Sequence, residues 1–147
     1  MLNASLYSTG KIDWETPQWL YRALDVEFGF TVDVCSSPGN TKCARRFEDG
    51  LIADWSNEIA FMNPPYGREI GKWMDKALAE SRRGATVVCL VPARTDTKWW
   101  HRVAMKGEVR LLAKRLEFEG ATNKAPFPCA VLVFRPMGFK LTVCEAV

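Results

Sequence analysis

Asn63-Pro64-Pro65-Tyr66 combines hydrogen-bond acceptors with an aromatic ring on a stiff stretch of chain. The residues before it, Ile59 to Met62, form an apolar run that predicts a short buried strand. That strand must stop at Pro64, because proline has no N–H to give to a sheet ladder. Each proline fixes its own φ, and Pro65 holds Pro64 extended. Asn63 and the Pro64 carbonyl are therefore expected on a rigid loop past the carboxyl end of a strand, where open α/β sheets place their ligands.

The Asn63 amide offers an acceptor and a donor pair, and the Pro64 carbonyl is a further acceptor. Neighbouring acceptors can receive both hydrogens of one exocyclic amino group while Tyr66 lies flat against the ring that carries it. Such base–aromatic stacking is worth about 1–3 kcal/mol. Drawing both N–H bonds toward acceptors leaves the nitrogen lone pair free to attack an electrophile. The proton can leave later, so no strong base is needed at first. The structural alternative is a plain strand exit with a packed Tyr.

The elements that would position this loop are legible in order. Met1 to Lys11 reads as a loose lead-in, and residues 13–147 as a single domain. Thr16-Pro17 predicts a helix start, with Thr as N-cap and Pro at the first helical position. Trp19, Leu20, Ala23, Leu24 and Phe28 follow at helical spacing and are expected to face a core. Phe30 to Cys35 predicts the first strand, with Asp33 near its carboxyl end. Ala44 to Phe47 predicts a second, ending in Glu48-Asp49-Gly50. Glu69 to Arg83 predicts a helix closed by Gly84, and its Trp73 is assigned to the core. Ala85 to Val91 predicts a strand buried on both faces. Arg94 to Thr97 leaves its carboxyl end, with Thr95 or Asp96 capping a helix through Trp99, Trp100, His101 and Arg102. Val109 to Leu112 and Ala130 to Phe134 predict closing strands. The long Glu117 to Pro128 loop between them is expected to be mobile or functional, and Gly138 to Val147 to pair at an edge or fray. Alternating strands and helices imply a three-layer α/β domain.

Composition narrows the function. The formal charge of +3 permits a polyanionic partner without requiring one. Six Trp suit base stacking if exposed, though any single one is more simply read as core. Five Cys without a Cys-x-x-Cys pair, and a lone His101, point away from a disulfide framework, a zinc site or a catalytic triad. Cys35 and Cys89 fall in apolar runs and read as small core residues. No signal peptide and no membrane-length apolar run is visible, and a reducing cytoplasm is the expected home.

Asn63-Pro64-Pro65-Tyr66 resembles the catalytic motif of amino-group methyltransferases that use S-adenosylmethionine. Asp13-Trp14-Glu15-Thr16-Pro17, Val32-Asp33-Val34-Cys35, Asp49-Gly50-Leu51, Asp54-Trp55 and Lys98-Trp99-Trp100 surround it in order. Together, over about Asp13 to Arg135, they resemble the small Dam-like DNA N-6-adenine methyltransferases of bacteriophages and prophages. The resemblance implies a Rossmann-like methyltransferase fold, three-layer and mostly parallel with one antiparallel strand, acting in the bacterial host cytoplasm. It implies S-adenosylmethionine as cofactor, DNA as substrate and a base flipped out of the duplex. Asn63, Pro64, Pro65 and Tyr66 would be catalytic.

Trp14, Thr16 and Pro17 would then help hold the cofactor's methionine end, at the free N–H groups of a helix start. Asp33 would face its ammonium, or else cap a turn. Asp49 would bind the ribose, by analogy with dinucleotide folds, or be an ordinary turn residue. Asp54 would face the adenine end, with Trp55 walling that pocket or filling core. Asn63 would touch the cofactor as well as the target. Ser36-Ser37-Pro38-Gly39-Asn40 is not the fuller glycine-rich loop of many such enzymes, and the Dam-like pattern lacks those glycines too. Asp33, Asp54, Asn63 and Arg94 are all expected on one sheet edge. Lys42, Arg94, Lys98, Arg102 and Lys124 lie on loops that would contact DNA phosphates. With no stretch left for a separate recognition domain, a metal-free monomer of short sequence specificity is expected. Methylation of RNA or protein glutamine, and a non-catalytic binding remnant of the same fold, remain the other readings.

Overall fold

The computed structural model describes residues 14–136 and the backbone of Val143–Cys144. Among them, six strands form one sheet: β1 (Val32–Asp33), β2 (Ile59–Met62), β3 (Thr86–Pro92), β4 (Glu108–Leu111), β5 (Cys129–Phe134) and β6 (Val143–Cys144). Their spatial order is β1-β2-β3-β5-β4-β6. β1, β2 and β3 are mutually parallel, β5 runs antiparallel to both β3 and β4, and β6 is parallel to β4. The helices are α1 (Gln18–Phe28), α2 (Ile70–Arg82) and α3 (Lys98–Arg102), with a 3-10 turn at Ala104–Lys106.

Hydrophobic run length sets the centre of the sheet. Val87 to Val91 in β3 and Cys129 to Phe134 in β5 are fully or almost fully buried, as expected for strands covered on both faces. Phe61 of β2 meets Tyr21 of α1 edge-on at 5.1 Å, so α1 covers that face. The packed stripe of α1 is Leu20, Tyr21 and Leu24, with Phe28 partly buried. Trp19, expected among them, is 58% exposed. Its position lies across the helix from that stripe, because one residue step turns the chain about 100°. The expected apolar stripe of α2, Ile70, Trp73, Met74, Ala77 and Leu78, is buried except for Leu78, which is partly buried.

Several boundaries differ from the sequence reading. β1 keeps only Val32 and Asp33, because the Asp33 carboxylate accepts the Cys35 N–H and turns the chain. The stretch from Ala44 to Phe47 reduces to one parallel bridge between Asp33 and Arg46. Thr97, not Thr95 or Asp96, caps α3, its hydroxyl accepting from the Trp100 N–H at 3.3 Å. Val143–Cys144 does pair at the sheet edge, while Met1 to Lys11 lies outside the described residues. Cys35, Cys43, Cys89 and Cys129 are free thiols. Among the described residues no helix is long and apolar enough to cross a membrane, and no cluster of His, Cys, Asp or Glu could hold a metal ion.

The register fixes what shares an edge. β1, β2 and β3 end on the same side, delivering Val34, Asn63 and Ala93 there. Pro92 at the end of β3 pairs with Cys129 at the start of β5, and Leu111 at the end of β4 pairs with Ala130. The connection of residues 112–128 therefore crosses that same edge.

Candidate active site

Asn63 leaves β2 with its side chain held from below. Its Nδ2 donates to the Trp14 carbonyl at 2.5 Å and to the Thr16 hydroxyl at 3.0 Å. Those acceptors take both amide hydrogens and so fix which way the amide points. The other end, Oδ1, is buried and finds no hydrogen-bond partner among the described residues. A buried acceptor without a donor costs roughly 1–3 kcal/mol, a cost that a donor from outside the chain could relieve.

Thr16 was expected to cap α1. The N-cap is instead Pro17, with no side-chain cap from Thr16, whose hydroxyl serves Asn63. The cap comes from a distant residue: Glu119 Oε1 accepts the Gln18 N–H at 2.8 Å. A bridge between Glu15 and Glu119 ties the same points together.

Pro64 is buried and Pro65 exposed. Tyr66 is 5% exposed, and its hydroxyl donates to the Leu90 carbonyl of β3 at 3.2 Å. Burial pushes its phenol pKa well up, so it stays neutral. Its ring meets Phe127 at 5.5 Å and Phe118 at 6.3 Å, both edge-on. Trp14 packs on the same pair at 5.2 and 5.3 Å. The Arg94 guanidinium lies over Phe127 at 5.5 Å. Tyr66 is thus buried among aromatic rings, and a flat base could reach its face only after neighbouring side chains moved.

Phe118 and Phe127 were not singled out from sequence, although a signal was there. Leu116, Phe118, Ala125 and Phe127 are all buried, which is a period-2 pattern on either side of a turn. Gly120 supplies that turn with φ of 75°, a left-handed conformation that glycine adopts freely. The Ala125 N–H donates to the Leu116 carbonyl at 2.7 Å and closes the loop.

Asp33 is 2% exposed at the end of β1. Its oxygens accept the Cys35 and Lys42 N–H groups at 3.2 Å each. Burial raises its pKa despite these bonds and the nearby Arg46 charge. It therefore caps the 35–42 loop and also presents a carboxylate for which a cation would be favourable. Asp49 is exposed, and its carboxylate accepts the Leu51 N–H at 3.1 Å. It follows the stretch bridged to β1 and so lies toward the same edge. The next residue, Gly50, packs so closely that a Cβ there would meet the Val34 carbonyl oxygen at 1.9 Å.

Other expected residues lie elsewhere. Asp54 precedes β2 and lies at the opposite, amino edge, exposed and 3.6 Å from Arg83. Its expected place beside Asn63 fails because it enters the strand rather than leaving it. Its pKa is lowered, chiefly by hydrogen bonding to Ser56. Trp55 is fully buried, with its indole N–H on the Gly50 carbonyl at 2.9 Å, and fills core. Lys42 is tied to Glu15 at 3.2 Å with little side-chain exposure, and Arg102 pairs with Asp75 at 2.8 Å. Lys42 is thus held within the protein, while Arg102, Lys98 and Lys124 are exposed. His101 contacts the Thr95 carbonyl at 2.6 Å, in keeping with a structural role.

Residues 4–138 match the family model described as DNA N-6-adenine-methyltransferase (Dam). A protein of Haemophilus phage HP1 (strain HP1c1) that carries the name DNA N-6-adenine-methyltransferase is 29% identical over 106 residues, covering 68% of this chain and 61% of the phage protein.

Proposed function

Because the chain belongs to the Dam family of DNA N-6-adenine-methyltransferases, we propose that it methylates the N6 amino group of adenine in DNA, with S-adenosylmethionine as donor. The observation that carries this reading is the buried, unpartnered Asn63 Oδ1, held in place by Trp14 and Thr16. The fold is read as the Rossmann-like, three-layer methyltransferase arrangement, with β5 as its antiparallel strand.

The residues of this edge fit such a donor. Asp33 offers a buried carboxylate to an ammonium, and Asp49 an exposed one to ribose hydroxyls. Trp14, Thr16 and Pro17 border the same place, whereas Asp54 is left out by its position. A carboxylate at the amino end of α1 would have to displace Glu119 from the Gln18 N–H. When bound, S-adenosylmethionine supplies an electrophilic methyl group on a sulfonium.

The chain's own part is orientation. Asn63 Oδ1 accepts one hydrogen of the adenine amino group and the Pro64 carbonyl the other. The nitrogen lone pair, withdrawn from the ring, forms the new N–C bond as the S–C bond breaks, and the extra proton passes to solvent. Tyr66 stacks on the base once neighbouring side chains have moved. Reaching this loop requires the base to leave the duplex, at a cost of a few kcal/mol.

Phosphate contacts position DNA without naming a sequence, and few side chains of these loops could reach a base edge. The reading therefore includes a short or degenerate target context. Incubation with methyl-labelled donor and, separately, DNA, RNA and protein tests the activity: label in adenine N6 of DNA supports it, and label only in RNA or protein overturns it. Mapping modified adenines on a long duplex tests the context, which confinement to one site of about six base pairs or more would contradict.

A further inference from the structure

We propose that the outer face of the 112–128 segment, together with Trp19 on α1, is the surface that grips the DNA backbone beside the target adenine. The inference rests on the reading of DNA as substrate and names a surface that this reading leaves open.

Trp19 lies in the first turn of α1 and is 58% exposed. Leu112, Lys114, Arg115, Glu117 and Lys124 join it in lining a cleft of ≈ 340 Å³. Its charged members are the cations Lys114, Arg115 and Lys124 and the acid Glu117, set among apolar side chains. Several basic side chains elsewhere are matched, Lys42 with Glu15, Arg102 with Asp75 and Arg110 with Glu27 and Glu108, and the exposed cations Arg22, Arg68, Arg82, Lys98 and Lys106 do not line this cleft. Lys114, Arg115 and Lys124 pair with no carboxylate among the described residues, and each is exposed. Gathering unmatched cations costs repulsion that a polyanion relieves, with counterion release adding affinity. A half-exposed indole beside them gives a planar face on which a sugar or an unstacked base can lie.

Placement strengthens the argument. The inner face of this segment carries Phe118 and Phe127 against Tyr66, and Glu119 reaches the Gln18 N–H next to Trp19. A backbone held on the outer face therefore runs past the loop that carries Asn63. A second copy of this chain would have to bring matching acids to the patch, whereas DNA brings phosphates in any register.

The test is the salt dependence of duplex binding, read by fluorescence anisotropy on the full chain. K114Q/K124Q is expected to weaken binding roughly ten- to a hundredfold near 0.1 M salt and to lower the slope of log K against log salt by about two. W19A is expected to weaken binding at least about fivefold, with W19F recovering most of it. Donor binding and melting temperature should not change in K114Q/K124Q. Parent-like affinity and slope in these variants, from a parent that methylates DNA, would overturn this surface alone. A change in self-association in place of DNA affinity would overturn it in favour of a protein contact. A folded parent that methylates no DNA would remove the underlying reading as well.

Discussion

The Asn63 side-chain amide donates to the Thr16 hydroxyl at 3.0 Å, across 47 residues of sequence, and so its oxygen faces away from the protein's own donors. T16V removes that acceptor and leaves the Trp14 carbonyl to hold the amide alone. The loss should be about 1 kcal/mol, roughly a fivefold fall in kcat. T16S, which keeps the hydroxyl, should restore most of the rate. Steady-state kinetics decides it: equal rates for T16V and the parent would remove Thr16 from the positioning of Asn63.

Tyr66 has a buried hydroxyl with one job, its bond to the Leu90 carbonyl. Y66F leaves that carbonyl unpaired and should lower stability by about 1–3 kcal/mol while preserving methyl transfer per folded molecule. Y66A should cost stability too and, through lost stacking, a further 1–3 kcal/mol or so in target engagement. Denaturant unfolding alongside kinetics separates the effects. A Y66F rate as low as that of Y66A would give the hydroxyl a chemical role.

Much of this arrangement could be read from the chain. The apolar runs at Ile59 to Met62 and Ala85 to Val91 define β2 and β3 because strands this buried leave no room for polar residues. Asn63-Pro64-Pro65-Tyr66 announced its own place at a strand end, since proline stops a ladder. Trp19 misled because helical spacing reveals a stripe only when its neighbours decide which face is packed. Asp54 misled because a carboxylate between strands belongs to whichever edge the connection occupies, and the connection into β2 occupies the amino edge. Thr16 reads as a cap by its local sequence, yet its partner, Asn63, is remote. The packing of Tyr66 with Phe118 and Phe127 depends on β4 ending, and β5 starting, at the edge where β2 ends. No local pattern encodes that register.

Gly50 offers a sharp test of packing at the Asp49 turn. A methyl group there would stand 1.9 Å from the Val34 carbonyl oxygen and 3.0 Å from the Trp73 ring. G50A must displace backbone at the end of β1, and a loss of at least about 1–3 kcal/mol is expected, as for overpacking. A chemical denaturation midpoint matching the parent would contradict this packing.

Glu80 links α2 to the amino edge of the sheet. Burial alone would raise its pKa, but hydrogen bonds from Lys76 and from the Trp55 N–H, with the Lys76 and Arg83 charges, outweigh it and lower the pKa. A carboxylate with a depressed folded pKa stabilises the fold above its unfolded value. That contribution is lost as pH falls through the folded pKa. The loss therefore begins near the unfolded value of about 4.3 and continues below it. E80Q should be less stable than the parent at neutral pH by about 1.5–3 kcal/mol, and the gap should close in acid. A gap independent of pH would mean that the charge of Glu80 contributes nothing.

The central claim concerns the Asn63 acceptor, and the most direct measurement is the yield of N6-methyladenine in DNA after incubation with S-adenosylmethionine, by mass spectrometry, for the parent and N63A. Melting temperature and donor affinity are recorded on the same samples. Loss of one preorganised polar group at a reacting centre typically costs about 10²–10³ in rate. The parent should produce N6-methyladenine, and folded N63A should produce roughly a hundredfold less or lower while binding the donor within about threefold of the parent. A parent that produces none, or a folded N63A that produces it at close to the parent's rate, would contradict the account.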